Sequence, residues 1–455
     1  MSSKKRPLKK LWWLLLLPLA YGISIAWNSF PIISGYGAKM MASAIYLQHR
    51  SPESVKAEEL GSGPLKMGSF TWNPEDSSVT GSVMGLARRK AIFRRGYGAT
   101  LVNELSENDI RNQSPIADEA NPLPDSCLWP CGTKVLPADS LPEYAAARAV
   151  MAAQFLEKDA EHPLRTRGIV VIHNGRLVAE QYADGFDSNT PQLGWSMTKS
   201  LTSALIGILV KQGKLDIDAP APVPEWQNAK DGRETITTRQ LLQQTSGLKY
   251  EEEYSKPSEA TNMLFKKADM AAFTASLPLR EKPGSRWYYS SGNSNLLSRI
   301  VRQTAGESGY HIFPYQQLFW KTGMNSMILE PDASGTFVGS SYSWASARDW
   351  ARFGLLYLQN GKWNGEQLLP EDWVAQTATP APADTLKHYG FQWWLNAGGT
   401  YPSAPTDMLY CDGFEHQYVF VIPSRNLVVV RLGQTAGNWD GDAFLKNLLA
   451  ALPRQ

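Results

Sequence analysis

A chain of 455 residues is long enough to bury a large core and to hold more than one compact unit. Lys plus Arg number 45 against 43 Asp plus Glu, and a net charge of +2 gives no electrostatic reason to expect nucleic acid or another polyanionic partner. No internal repeat or low-complexity tract interrupts it, which excludes solenoid and fibrous architectures.

Residues 1–10 carry Lys4, Lys5, Arg6, Lys9 and Lys10 ahead of an uncharged run from Leu11 to Trp27. A basic flank before an apolar run is an export signal whose basic end stays cytoplasmic. The run is at the short end for a spanning helix, but Phe30 to Ile33 extend it and tryptophans flank it. Residues 11–30 are therefore expected to form a retained membrane anchor, with the rest of the chain periplasmic or extracellular. The alternative is cleavage after Ser24-Ile25-Ala26, which would release a mature protein beginning at Trp27.

Residues 31–140 are rich in Gly, Pro, Ser and Asn and read as an irregular arm, with Val79 to Tyr97 as its one strand-rich stretch. Cys127 and Cys131 are close enough in sequence for a local loop that an oxidising compartment would favour pairing, with two unpaired thiols as the alternative; Cys411 is left over. With no histidine beside these cysteines and no His-x-x-x-His anywhere, neither a metal nor a cofactor is expected.

The texture changes at Leu141, and residues 141–455 read as one α+β domain. Glu143 to Lys158 has the apolar spacing of an amphipathic helix. Gly168 to Tyr182 is two strands joined by Asn174-Gly175, a strong hairpin signal. Tyr418 to Leu432 is a second hairpin, followed by a helix from about Asp442 to Leu452. Mainly helical sequence lies between. The expected architecture is an antiparallel sheet built from both ends of this region, flanked by helices, with a helical insertion set against it.

That insertion opens with Gly194-Trp195-Ser196-Met197-Thr198-Lys199-Ser200 and continues into an apolar run to Val210. Ser196 and Lys199 stand nearly one helical turn apart, so a hydroxyl and an amine share a face. A serine hydroxyl needs a base to become a nucleophile, and burial in an apolar helix lowers a lysine pKa toward that task. Downstream, Trp287-Tyr288-Tyr289-Ser290-Ser291-Gly292-Asn293 reads as a loop that presents polar groups at a helix start.

Taken together these stretches resemble the serine hydrolases of the penicillin-binding-protein and class C β-lactamase fold. Ser196 to Lys199, Leu241 to Leu248, Pro283 to Gly292, Asp349 to Gly354 and Ile422 to Arg425 follow the order of that family's motifs. The resemblance is greatest to the non-lactamase branch of carboxylesterases and 6-aminohexanoate-dimer hydrolases. It implies that Ser196 is acylated and that Lys199 and Tyr289 share the proton transfers. Ser291 stands where β-lactamases usually carry asparagine, and so would hold Lys199 or substrate.

Lys321-Thr322-Gly323 reproduces a β-lactamase motif literally, but it follows a helical stretch, so Gly323 reads as a helix C-cap. The counterpart is instead Cys411-Asp412-Gly413-Phe414-Glu415-His416-Gln417, where relatives commonly read Gly-His-x-Gly-Gln. Here the backbone at Gly413 and Phe414 would complete an oxyanion hole with that of Ser196. No lysine is present to meet a β-lactam carboxylate, and Asp412 with Glu415 would repel it. Trp393, Trp394 and Tyr410 are candidate aromatic walls.

The expected substrate is thus a small carboxylic ester or linear amide. The alternatives are β-lactamase or D-Ala-D-Ala peptidase activity, or a catalytically inactive binding protein of the same fold. A Ser-His-Asp hydrolase is disfavoured, because Gly-x-Ser-x-Gly is absent and the six histidines are scattered.

Overall fold

The structure, a computed structural model, describes residues 12–113, 122–435 and 437–453. The basic segment read as a cytoplasmic tail, residues 1–10, lies outside the described residues. Helix α1 (Trp12–Gln48) is 37 residues long, and its second half is buried in the protein through Ile33, Ala38, Met40, Met41 and Leu47. Among the described residues no helix is long and apolar enough to cross a membrane, so the anchor expected over 11–30 is not supported. Ser24, Asn28 and Ser29 dilute the apolar run, and the helix then continues without a break into the fold.

The segment read as an irregular arm is ordered. After α1 it forms a sequential antiparallel sheet of β1 (Gly68–Asn73), β2 (Ser78–Val83), β3 (Leu86–Arg94) and β4 (Gly98–Leu101). Its glycines reflect close packing as much as loops: at Gly37 of α1 a Cβ would lie 2.0 Å from the Phe70 ring, so only glycine lets helix and sheet meet there. A buried ion pair ties the arm to the main domain. Lys39 of α1 reaches Glu330, which also accepts hydrogen bonds from Ser43 Oγ (2.7 Å), the Ala99 N–H (2.7 Å) and Trp344 Nε1 (2.8 Å).

In the main domain, helix α2 (Ala145–Ala152) is shorter than expected because a 3-10 turn follows it and Leu156 is already extended. The central sheet begins with β5 (Thr166–His173) and β6 (Arg176–Tyr182), joined by Asn174 and Gly175 at positive φ of 52° and 72°. The helical region carries α3 (Thr198–Lys211), α4 (Ser291–Ala305) and α5 (Ala347–Leu358). The chain then returns to the sheet with β7 (Trp394–Leu395), β8 (Leu409–Gly413), β9 (Gln417–Ile422) and β10 (Leu427–Gly433), and ends in α6 (Gly441–Ala451).

Strand order is β7-β8-β9-β10-β5-β6, antiparallel throughout, and the β10–β5 pairing closes the two ends of the region on each other. Alternate side chains divide between two cores, as the two-residue period of a strand requires. Val170, Ile172, Val419, Val421, Val428 and Val430 face α3 and α5, while Ile169, Val171, Phe420 and Val429 face α2 and α6. This is the α+β architecture expected from the sequence.

Two local readings are settled here. Cys127 and Cys131 are both exposed and unbridged, and Arg352 holds their loop instead, donating to Pro130 O (3.0 Å) and Gly132 O (3.1 Å) with its guanidinium over Trp129. Lys321-Thr322 ends a helix at Gly323, whose φ of +76° makes it the left-handed cap, and Lys321 pairs with Glu366 at the surface.

Candidate active site

A 3-10 turn over Trp195–Met197 leads directly into α3, so Ser196 sits at a helix start and Lys199 one turn further in. Lys199 is buried, and its Nζ lies 3.0 Å from Ser196 Oγ, 3.1 Å from Ser291 Oγ and 2.9 Å from Ser340 O. Burial pushes the amine down to about 8, with the charge of Glu252 acting in the opposite direction. Trp195 holds a left-handed φ of 48°, a costly conformation for a bulky residue. Its ring is held from three sides, stacked on Tyr36 of α1 (6.1 Å between centroids), tilted against Tyr342 (6.2 Å) and edge-on to Phe414 (5.6 Å).

Tyr289 arrives from the loop before α4. Its ring lies 4.8 Å from Lys199 Nζ and stacks on Trp394 at 5.4 Å. Burial raises its pKa well above the usual tyrosine value, against a hydrogen bond to Ser196 that lowers it. The loop is fastened from behind by Gln244, whose Oε1 accepts from the Ser290 N–H (3.1 Å) and Asn293 Nδ2 (2.8 Å), and by Ser246 Oγ donating to Asn293 Oδ1 (2.8 Å). The Leu241 to Leu248 stretch therefore supports the tyrosine loop. Trp393 is wholly in the core against Tyr357, so of the expected aromatic walls it is Trp394, backed by Tyr410, that stands beside Tyr289.

The strand end of β8 closes the other side. At Gly413 a Cβ would lie 2.2 Å from Gly194 O, so glycine is what allows this strand to abut the turn that carries Ser196. Neither the Phe414 N–H nor the Ser196 N–H makes a hydrogen bond among the described residues, whereas the next N–H, that of Met197, is already bonded to Gly194 O at 3.1 Å. Both are free to donate to a group placed between them. The Phe414 side chain is 61% exposed.

The expected acidic pair does not form. Asp412 makes no hydrogen bond or ion pair among the described residues, and burial pushes its carboxyl up to about 7. Glu415 faces the arm instead, accepting from Gln434 Nε2 (3.1 Å) and lining a cavity with Tyr36, Glu59 and Arg167. Glu415 itself and the following His416 both hold a left-handed φ of 64°, so the chain turns at Glu415 and carries its side chain away from that of Asp412. His416 occupies this position, where the family pattern has glycine, with its ring bonded to Gly437 O at 3.0 Å.

Sequence reasoning missed Glu252 and Tyr254. Glu252 Oε1 accepts from Ser291 Oγ (2.5 Å) and Tyr254 OH (2.7 Å), and Oε2 from the Ser291 N–H (2.8 Å). The available signal was the run Glu251-Glu252-Glu253 in a loop directly after Leu248.

An antiparallel sheet covered on both faces, with Ser-x-x-Lys opening the helix beside it and a tyrosine loop opposite, defines the β-lactamase and transpeptidase class of fold. The chain belongs to the β-lactamase family, whose family model matches residues 152–451. It is 23% identical over 299 residues to the 6-aminohexanoate-dimer hydrolase of Paenarthrobacter ureafaciens, covering 59% of this chain and 72% of that one. Among solved structures it is similar to a family VIII carboxylesterase, with a TM-score of 0.55, 14% identity, 70% of this chain and 99% of that one covered. A penicillin-binding protein homologue from Caulobacter crescentus also gives a TM-score of 0.55, at 17% identity and the same coverages of 70% and 99%. The branch suggested by the sequence, with its 6-aminohexanoate-dimer hydrolases and carboxylesterases, is represented among these similar proteins.

Proposed function

We propose that this protein is a serine hydrolase that cleaves small carboxylic esters or linear amides through an acyl-enzyme on Ser196. The observation that carries the reading is the 3.0 Å approach of Lys199 Nζ to Ser196 Oγ inside a buried site. Lys199 takes the Ser196 proton as the oxygen attacks, a general-base contribution of about 10²–10⁴ in rate. The Phe414 and Ser196 N–H groups bind the oxyanion. Tyr289, kept neutral by burial, protonates the leaving group and is itself reprotonated from Lys199. Water then repeats the attack.

The choice of substrate follows from β8. It offers Cys411, Asp412 and Gly413 where a β-lactamase has a lysine, so a β-lactam carboxylate would meet no cation on this strand and has the Asp412 carboxyl nearby. Support comes from a relative named as a 6-aminohexanoate-dimer hydrolase and a protein of similar fold named as a carboxylesterase.

A fluorophosphonate should label Ser196 stoichiometrically, and the specificity constant for p-nitrophenyl butyrate should exceed that for a chromogenic cephalosporin. Labelling of Ser196→Ala at the wild-type rate would remove the nucleophile, and a cephalosporin constant equal to the ester's would return the protein to the β-lactamases. The same proposal places the domain outside the cytoplasm, on the basic flank and apolar run at the chain start. A fusion reporter active only after export checks it.

A further inference from the structure

The Ser196 hydroxyl is activated only if the lone pair of neutral Lys199 points at it, and the amine has three neighbours to choose from. Nζ lies within hydrogen-bonding distance of Ser340 O, Ser291 Oγ and Ser196 Oγ. A neutral amine has two protons to donate and one lone pair to offer. The Ser340 carbonyl can only accept, so it takes one proton. The two serine hydroxyls are chemically alike, and each can donate or accept. Nothing about Lys199 alone decides which receives the second proton and which gives its own proton to the lone pair. If Ser291 donated, the base would be quenched on the wrong hydroxyl.

We propose that Glu252 is the positioning residue that resolves this choice: by accepting the single Ser291 hydroxyl proton, it leaves Ser291 able only to accept from Lys199, and so aims the Lys199 lone pair at Ser196. The Ser291 Oγ to Glu252 Oε1 distance is 2.5 Å, short as charge-assisted hydrogen bonds are, against 3.1 Å from Ser291 Oγ to Lys199 Nζ. Glu252 cannot rotate away. Its second oxygen accepts the Ser291 N–H at 2.8 Å, Tyr254 OH donates to the first at 2.7 Å, and its own N–H donates to Tyr288 OH at 3.2 Å. In the proton transfer that follows, the Ser196 O–H bond breaks and an N–H bond forms on Lys199. The other two N–H bonds to Ser340 and Ser291 persist, so no neighbour has to turn.

This inference rests on the hydrolase reading above, and it predicts a behaviour that a packing role for Glu252 does not. The groups facing Lys199 are Glu252 and Tyr254 from the loop after Leu248, Tyr289 and Ser291 from the approach to α4, and the Ser340 carbonyl. Among the described residues Glu252 is the one whose charge acts on the amine, and it holds the amine's pKa up. In Glu252→Gln the amide oxygen can serve the Ser291 N–H only by presenting its NH₂ to Ser291 Oγ. That forces Ser291 to accept from the amide and frees its proton for Lys199.

The experiment measures kcat/KM for p-nitrophenyl butyrate against pH in four proteins: wild type, Glu252→Gln, Ser291→Ala and Glu252→Gln/Ser291→Ala, with Ser196→Ala as a control. Glu252→Gln should lose about 10²-fold on the plateau, the scale of a misdirected general base, and its acidic limb should move to lower pH. Adding Ser291→Ala removes the misdirected proton, so the double variant should exceed Glu252→Gln, although Ser291→Ala alone lowers the wild-type rate. Additive losses in the double variant, or a Glu252→Gln plateau and limb equal to wild type, would overturn the inference. With Ser196→Ala inactive, either of those results leaves the hydrolase reading standing. An active Ser196→Ala defeats that reading instead.

Discussion

The two walls of the site differ in how far their polar groups are committed. On the helix wall, Lys199, Ser291 and Glu252 have their bonds distributed among one another and the Ser340 carbonyl. On the strand wall, Asp412 and the Phe414 N–H have no partner among the described residues, and the Phe414 ring stands in solvent. A saturated network costs no reorganisation when the proton moves, whereas open donors and acceptors remain for a substrate. Under the proposed mechanism, the contrast separates a wall that would perform the reaction from a wall that would select what reacts.

The most severe way to break this contrast is to remove one group from each wall. Ser196→Ala should reduce turnover by about 10³-fold or more, because groups that act as a unit fail together. Phe414→Ala should act mainly on KM, since the oxyanion donor proposed there is the backbone N–H and the side chain only edges Trp195. Steady-state kinetics on one ester decides, and equal losses of kcat in the two variants would mean that the walls are not separable.

How much of this was legible in the sequence follows the same division. Ser196, Lys199 and Tyr289 lie in contiguous motifs whose local geometry is helical or loop-bound, and the two hairpins announce themselves by strand alternation around tight turns. Glu252 was not legible, because what gives it a role is a contact with Ser291, 39 residues away, made by a loop without periodicity. Asp412 and Glu415 were misjudged as a pair for a related reason: two positive φ values in a turn that lacks glycine redirect the side chains. The arm misled through composition. Its glycines serve helix-on-sheet contact, and its Tyr36 stacks on Trp195, the residue before Ser196, neither of which a residue count can reveal.

A smaller perturbation sharpens the helix wall internally. Tyr289→Phe keeps the ring stacked on Trp394 and removes the proposed acid. A p-nitrophenolate leaves without protonation and an amine does not, so amide turnover should fall about 10²-fold while ester turnover falls much less. The pH profile should carry the same signature. With the Lys199 amine near 8, kcat/KM rises as pH climbs toward that value and levels above it. The high phenol pKa of Tyr289 leaves no descending limb in the neutral range. Equal ester and amide losses in Tyr289→Phe would assign leaving-group protonation to another residue.

The least effect is expected on the strand wall, from Asp412→Asn, and its sign depends on pH. Folding raises this carboxyl to about 7 from an ordinary value near 3.9. A raised acid binds its proton more tightly in the folded state, so its ionisation opposes folding increasingly from about pH 4 to pH 7 and by a constant amount above. The asparagine variant should therefore melt higher than wild type at pH 8, by less at pH 5, and equally near pH 4. Selectivity should shift in the same direction. Above pH 7 an ionised Asp412 repels an anionic acyl chain, so replacing it should raise the kcat/KM of p-nitrophenyl hemisuccinate relative to p-nitrophenyl butyrate by about fivefold at pH 8, on the order of 1 kcal/mol for a partly solvated charge pair. At pH 6, where the carboxyl is mostly protonated, the two proteins should scarcely differ. A ratio that moves equally at both pH values would show that the charge of Asp412 is not what the acyl group meets, and that the strand wall selects by shape.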